Sequence, residues 1–385
     1  MVLQTLEDAG GEVERRDVEL ATQAARATEA EEREVLLVLG KLFSDNAWAP
    51  SCCTVERVQG GVTNRMYRCT STVTGTAVLV RIFGSGDFFN RRRENSLYAE
   101  LAAAGLGPPL LGIFPRGRVE GVLTGKPLDY RTLHDKQVYS QVASALARLH
   151  CFRPSEQTLP RAQAIALQWE FCERLLRKAV ERHCLPVEEL CNGKPTRLQN
   201  EFKELRHRLP ADDIVFCHND LLGANILYDP TEQMIRFVDF EYAGYAPRAY
   251  DLGNHFNEWM GLTENCGLKP LDSFARYPTE AEQHRFAEAY LASLSAFSQS
   301  DDAIDTATSS RCRSASVSTL ERDRLVAEAN AFSLLSHWIW SVWAFIMAAD
   351  PPSETFDYVH FGRERLLLMR MHWSERLGAV DHLLH

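Results

Sequence analysis

The stretch VFCHNDLLGANILYDPTEQMIRFVDFEYAGYAPRAYDLGNHFNEWMG, residues 215–261, decides how the chain is read. His218-Asn219-Asp220 is followed by Asn225, the pattern H-x-D-x-x-x-x-N, and Asp239 ends an apolar run inside Phe237-Val238-Asp239-Phe240-Glu241. The β-branched and aromatic runs predict a strand into the loop 218–225, a second strand at 226–228 and a third that ends on Asp239. The second and third are joined by the turn Asp229-Pro230-Thr231. Two carboxylates and an amide so placed are what phosphoryl transfer requires. Asp220 accepts the proton of the attacking hydroxyl, while Asn225 and Asp239 hold Mg2+ on the phosphates of ATP.

Working upstream, residues 55–59, 65–71 and 77–83 predict an antiparallel meander, with Gly60-Gly61-Val62-Thr63-Asn64 at its first turn. Glycines there let backbone N–H groups approach a phosphate with no Cβ in the way. Arg81 ends an apolar strand, where a kinase-like design places a cation on the nucleotide phosphates. Glu94, in a helix predicted over 91–104 and closed by Gly105, is placed to pair with Arg81. Two more strands are predicted about the turn at 115–118. Residues 124–127 then read as a hinge, and the backbone of Glu120 to Leu123 is placed to face adenine. From there the pattern turns helical, over 139–150, 167–184, 195–209, 250–260, 322–347 and 358–377.

Composition narrows the function classes. A net charge of −10 argues against nucleic acid or an anionic membrane surface as the main partner. The ten cysteines contain no C-x-x-C pair, so neither zinc nor thioredoxin-like chemistry has a spacing to rest on. Reduced thiols and a cytoplasmic location are expected, since the first twenty residues lack an apolar signal core. The apolar segment 331–349 carries Ser333, Ser336, His337 and Ser341, which favours a buried core helix over a membrane span.

The expected architecture is α+β and two-lobed. An acidic tail occupies 1–33 and a small nucleotide-binding lobe with an antiparallel sheet 34–122. A larger, mainly helical catalytic and amine-binding lobe takes 123–385, with a Ser-rich surface insertion at 296–319. A protein-kinase reading fails in detail: no G-x-G-x-x-G precedes Arg81, DFE stands where DFG would, and no A-P-E follows.

At this point the chain resembles the choline/ethanolamine kinases. The resemblance rests on Gly60 to Asn64, Val78 to Gly84, Cys217 to Asp220 and Val238 to Tyr242. It continues through Tyr250 to Trp259 and Ser336 to Trp343. It implies a protein-kinase-like fold and transfer of a phosphoryl group from ATP, with Mg2+, to a small amino alcohol. Position by position, it implies Asp220 as base, Asn225 and Asp239 at magnesium with Glu241 nearby, and Arg81 at the nucleotide. His218 and Asp251 become supports of the catalytic loop. Tyr242, Glu258, Trp340 and Trp343 become the amine pocket, where each aromatic face contributes roughly 0.5–2 kcal/mol to an ammonium.

The Leu221-Leu222 pair and Asn257-Glu258 resemble ethanolamine kinases. Thr263 and Phe361 stand where choline kinases tend to place tyrosines. Ethanolamine is therefore the expected acceptor, giving phosphoethanolamine for phosphatidylethanolamine synthesis. Gly112 to Arg118 resembles choline kinases instead, which keeps choline or dual specificity open. A catalytically dead binding protein is disfavoured because Asp220, Asn225 and Asp239 are all present, and an antibiotic- or sugar-phosphorylating relative by Glu258 with the tryptophan pair. A homodimer is compatible with the sequence, and stable membrane insertion is not expected.

Overall fold

The computed structural model describes residues 25–26, 29–43, 46–58, 64–84, 90–265, 273, 275–301, 317–349 and 356–384. The chain divides into two compact units, Met1–Leu123 and Thr124–His385.

In the first unit β1 (Ala25–Arg26), β2 (Cys53–Val58), β3 (Asn64–Ser71), β4 (Ala77–Phe83), β5 (Leu110–Phe114) and β6 (Gly117–Gly121) form one antiparallel sheet. The strand order is β1-β2-β3-β4-β6-β5. Alternation along β4 sends Val78, Val80 and Ile82 into a core with Tyr67, Cys69 and Val119. Helix α1 (Glu29–Leu42) closes that core with Val35 and Leu39. Helix α2 (Arg91–Ala103) starts under a cap in which the Asn90 side chain accepts the Arg93 N–H. It ends on Gly105, whose φ of +64° suits a residue without a Cβ.

Two expectations change here, and a third falls outside the described residues. Helix α1 begins at Glu29, inside the segment read as acidic tail, of which residues 1–24, 27 and 28 lie outside the described residues. Gly60 and Gly61 also lie outside them. Glu120 and Gly121 belong to the sheet ladder, registered with Leu79 and Val78 of β4, and Glu120 faces Leu110 of β5 as well. A residue in a middle strand has its N–H and C=O committed to its neighbours, so only Val122 and Leu123 of the expected adenine-facing backbone lie beyond the ladder.

The second unit opens with β7 (Lys126–Pro127), which pairs with β9. The segment read as a hinge is therefore partly strand. Helices α3 (Lys136–His150), α4 (Ala164–Glu181) and α5 (Thr196–Arg208) lead to β8 (Ile214–Cys217), β9 (Ile226–Asp229), β10 (Met234–Phe237) and β11 (Gly244–Pro247). β9 and β10 form the expected hairpin, in which Asp229 Oδ1 accepts the Thr231 and Glu232 N–H groups, and β8 pairs with β11. Then come α6 (Arg248–Glu258), α7 (Leu262–Asn265), α8 (Glu280–Asp301), α9 (Thr319–Met347), α10 (Tyr358–Met371) and α11 (Trp373–Leu384).

The last predicted helix is thus two, parted at His372. The segment 296–319 begins inside α8 and ends at α9, and its residues 302–316 lie outside the described residues. Helix α9 is the hub of this unit and packs on α4, α6, α8, α10 and α11. Phe332, Leu334, Leu335, Trp338, Val342 and Phe345 are buried along it, as expected of a core helix. No helix among the described residues is long and apolar enough to cross a membrane. The α6–α9 contact is backbone-close at Gly253, where a Cβ would lie 2.2 Å from Ala329 O and 2.7 Å from Ser333 N. Only glycine fits there.

Candidate functional site

The loop after β8 is set by its own backbone. Asn219 has a φ of +65°, tolerable for Asn, and its Nδ2 donates to Tyr242 O at 3.0 Å. The Asp251 carboxylate, at the start of α6, accepts the N–H groups of His218 and Asn219, both at 2.7 Å. His150 Nε2 reaches the same carboxylate at 3.2 Å, and Tyr290 Oη lies 2.7 Å from His150 Nδ1. Burial pushes the Asp251 carboxyl up, but His150, His218 and the backbone donor outweigh it and leave its pKa below the usual value. His218 donates from Nε2 to Val238 O at 2.9 Å, tying the loop to the segment that carries Asp239. These are the bonds that a loop-support role for His218 and Asp251 would use. His150, read as an ordinary helix-end polar group, is part of the same brace.

The loop thereby presents Asp220. Asn225 Nδ2 donates to Asp220 O at 2.9 Å and to Asp220 Oδ2 at 3.1 Å. Asp239 follows β10 in the left-handed region, with φ +64°. Asp220 keeps part of its surface open, yet the surrounding protein strips water from its carboxyl. That desolvation, then Asp239, Glu258 and Glu241, push its pKa well above the ordinary value, against the Asn225 hydrogen bond. Four carboxylates sharing one electrostatic neighbourhood call for cations. An oxygen-only donor set built on Asp239 and the Asn225 amide fits a hard divalent ion such as Mg2+.

From Tyr242, whose carbonyl accepts the Asn219 side chain, an aromatic group extends. Tyr242 meets Trp340 edge-on at 5.2 Å between centroids, Trp340 meets Trp343 at 5.5 Å, and Trp343 meets Tyr358 at 5.8 Å. Trp340 is fixed from behind, because its Nε1 donates to Asn254 Oδ1 at 2.9 Å, which also accepts Ser336 Oγ at 2.8 Å. Asn254 and Glu258 are one turn apart on α6, so the tryptophan anchor and the candidate amine carboxylate share a helix face. Neither Asn254 nor Tyr358 was singled out from sequence, although the Asn254–Glu258 spacing was there to be read.

Glu258 is buried, and Arg365 Nη2 of α10 donates to its Oε1. That arginine also escaped the sequence reading.

The first unit holds a second charged group. Arg81 Nε donates to Glu120 Oε1 at 2.9 Å, and Arg118 Nε donates to the same oxygen at 2.7 Å. Arg118 Nη1 reaches Glu94 Oε1 at 2.8 Å, and Arg91 Nη1 reaches Glu94 Oε2 at 2.7 Å. The expected link between Arg81 and Glu94 therefore runs through Arg118 and Glu120. All four are buried, and Arg118 lies 4.0 Å from the Tyr98 ring centroid. Glu120 enters this group through its side chain. Asn64 is buried at the start of β3, registered opposite Phe83.

Comparison with known proteins places this geometry. The family model described as choline/ethanolamine kinase matches residues 55–370. Ethanolamine kinase 2 of Rattus norvegicus is 31% identical over 319 residues, covering 82% of this chain and 74% of that protein. "Probable choline kinase 1" of Arabidopsis thaliana is 30% identical over 342 residues, covering 86% of this chain and 90% of its own. Among solved structures, an ethanolamine kinase of Plasmodium vivax superposes with a TM-score of 0.69 at 20% identity, over 97% of this chain and 98% of that one. The structural likeness establishes a protein-kinase-like fold, with its small antiparallel lobe and larger helical one.

Proposed function

Because the chain belongs to the choline/ethanolamine kinase family, and is thus a phosphotransferase, we propose that it phosphorylates the hydroxyl of ethanolamine from ATP. The product, phosphoethanolamine, would feed phosphatidylethanolamine synthesis. The observation that carries this reading is the crowding at Asp220. A carboxylate whose pKa is raised by burial and by Asp239, Glu258 and Glu241 is a competent proton acceptor, and it sits among charges that suit both a metal and an ammonium.

In this reading Asp220 takes the hydroxyl proton, and Asn225 orients its carboxylate through the 3.1 Å hydrogen bond to Oδ2. Asn225 and Asp239 hold Mg2+, with Glu241 beside them; when bound, the ion neutralises charge on the nucleotide phosphates. Gly60, Gly61, Asn64 and Arg81 serve the phosphates of ATP. Glu94 and Glu120 hold Arg81's surroundings in place, and Leu123 serves the adenine. Glu258 receives the ammonium, with Tyr242, Trp340 and Trp343 as its aromatic walls.

Support for ethanolamine over choline comes from Thr263 and Phe361. Thr263 Oγ1 lies 3.4 Å from Arg365 Nη2, and the Phe361 ring centroid is 4.9 Å from the same guanidinium. Both side chains face an arginine rather than adding a hydroxylated ring to a methyl cage. Choline is a second reading, favoured by Tyr358, which extends the aromatic surface past Trp343. The test measures ADP release with each amine and reports both values of kcat/KM. No amine-dependent release by the purified protein overturns the proposal, and a clear choline preference overturns the choice of amine.

A further inference from the structure

The carboxylate assigned to the ammonium is already gripped by a cation. Arg365 is 1% exposed; its Nη2 donates to Glu258 Oε1 and reaches Thr263 Oγ1 at 3.4 Å, and its guanidinium lies over Phe361 at 4.9 Å. Its Nε and Nη1 are buried with no hydrogen-bond partner among the described residues. Glu258 is 5% exposed, and no partner of its Oε2 is found among the described residues.

As a stabilising device this pair is a poor one. Two ions leave water for one contact, and most of the guanidinium donors go unmet. Buried pairs of this kind are often matched or bettered by apolar residues of similar size. The gain lies elsewhere. Glu258 contributes to the repulsion felt at Asp220, together with Asp239 and Glu241, and a carboxylate in such company has reason to turn away. A rigid, planar donor prevents that. It fixes one carboxylate oxygen and leaves the other to face an N–H donor or a cationic centre.

We infer that Arg365 is a positioning residue for amine binding. It acts only through Glu258, holding that carboxylate in one rotamer, with Oε1 bound to the guanidinium and Oε2 presented to the ammonium. This rests on the assignment of Glu258 to the amine. It separates Arg365 from the groups that touch ATP or metal, so its removal acts on one substrate only. The aromatic walls do not replace it, since Trp340 is held independently through Asn254.

The test is a cycle of Arg365→Met, Arg365→Lys, Glu258→Gln and the Arg365→Met/Glu258→Gln double variant, with KM for ethanolamine and for ATP read separately from kcat. Arg365→Met raises the ethanolamine KM by about tenfold or more while the ATP KM and kcat stay within about threefold, the mark of lost ground-state binding. Arg365→Lys, which keeps the charge and loses the fork, falls between. Added to Glu258→Gln, Arg365→Met has no further effect on the ethanolamine KM, because its only route of action is gone. An unchanged ethanolamine KM in Arg365→Met, or an effect that adds in full to Glu258→Gln, overturns the inference; if the Met variant does not fold, the Lys variant runs the same cycle.

Melting temperatures supply an arm that needs no turnover. Arg365→Met melts below wild type, and Arg365→Met/Glu258→Leu regains most of the loss; equal melting of the two variants also overturns the pairing role. Failure of the wild type to consume ATP with any amine overturns the assignment of function instead, and the melting arm still decides whether Arg365 serves Glu258.

Discussion

The two units each bury a cluster of charges, and the clusters differ in one respect. In the first unit Arg81, Arg118 and Arg91 interleave with Glu120 and Glu94, so each acid has a cation against it. In the second, Asp220, Asp239, Glu241 and Glu258 stand together, and Arg365 answers Glu258. The second gathers like charges around Asp220, a setting that under the proposed function a metal ion and an ammonium would share. Alternating against like charge thus distinguishes the two clusters where burial alone does not.

The sharpest way to break the comparison is Asp220→Ala. Loss of a general base costs roughly 10²–10⁴-fold in turnover, yet removing one acid from a crowded set leaves melting unchanged or raised. A steady-state assay and a thermal melt on one preparation check both. A drop in stability would mean that the second cluster is structural too.

The opposite pattern belongs to Arg118→Met. Removing one partner from a buried, paired network costs about 3–5 kcal/mol, because Glu94 and Glu120 are left uncompensated; denaturant unfolding of the variant reads it directly.

His255 gives the next effect, through pH. Its Nδ1 donates to Leu221 O at 3.1 Å, and burial holds its pKa at about 4 against an ordinary 6.5. The folded state then refuses a proton that the unfolded chain accepts. The stability this group contributes is fully present above pH 6.5 and is lost as pH falls toward 4, by about 3 kcal/mol at most. Unfolding free energies measured across that window in wild type and His255→Asn should show a shallower slope in the variant.

The smallest effect is at the rim of the proposed amine pocket. Trp343→Leu removes one aromatic face, worth roughly 0.5–2 kcal/mol to a cation, and raises the amine KM without touching that for ATP.

What the sequence disclosed follows from the length of chain each feature uses. Asp220, Asn225 and Asp239 lie on one loop and one hairpin, so turn residues and apolar runs sufficed to place them. The Glu258–Arg365 pair spans 107 positions and Trp340–Asn254 spans 86, and no local period announces either. Arg118 and Glu120 are an intermediate case. They alternate on one strand and so share a sheet face, a signal that was present but outweighed by the expectation of a backbone role for Glu120. The helix break at His372 escaped because apolar spacing continues across it.

Gly253 has a further consequence. Its missing side chain lets α6 and α9 touch backbone to backbone, and these two helices carry Asn254 with Glu258 and Trp340 with Trp343. The acidic and aromatic halves of the proposed amine site therefore form a single stiff body, which under that proposal would be arranged before any ligand arrives. Under the proposed function little conformational entropy would remain to be surrendered on association, so an amine would meet a socket rather than a closing hand.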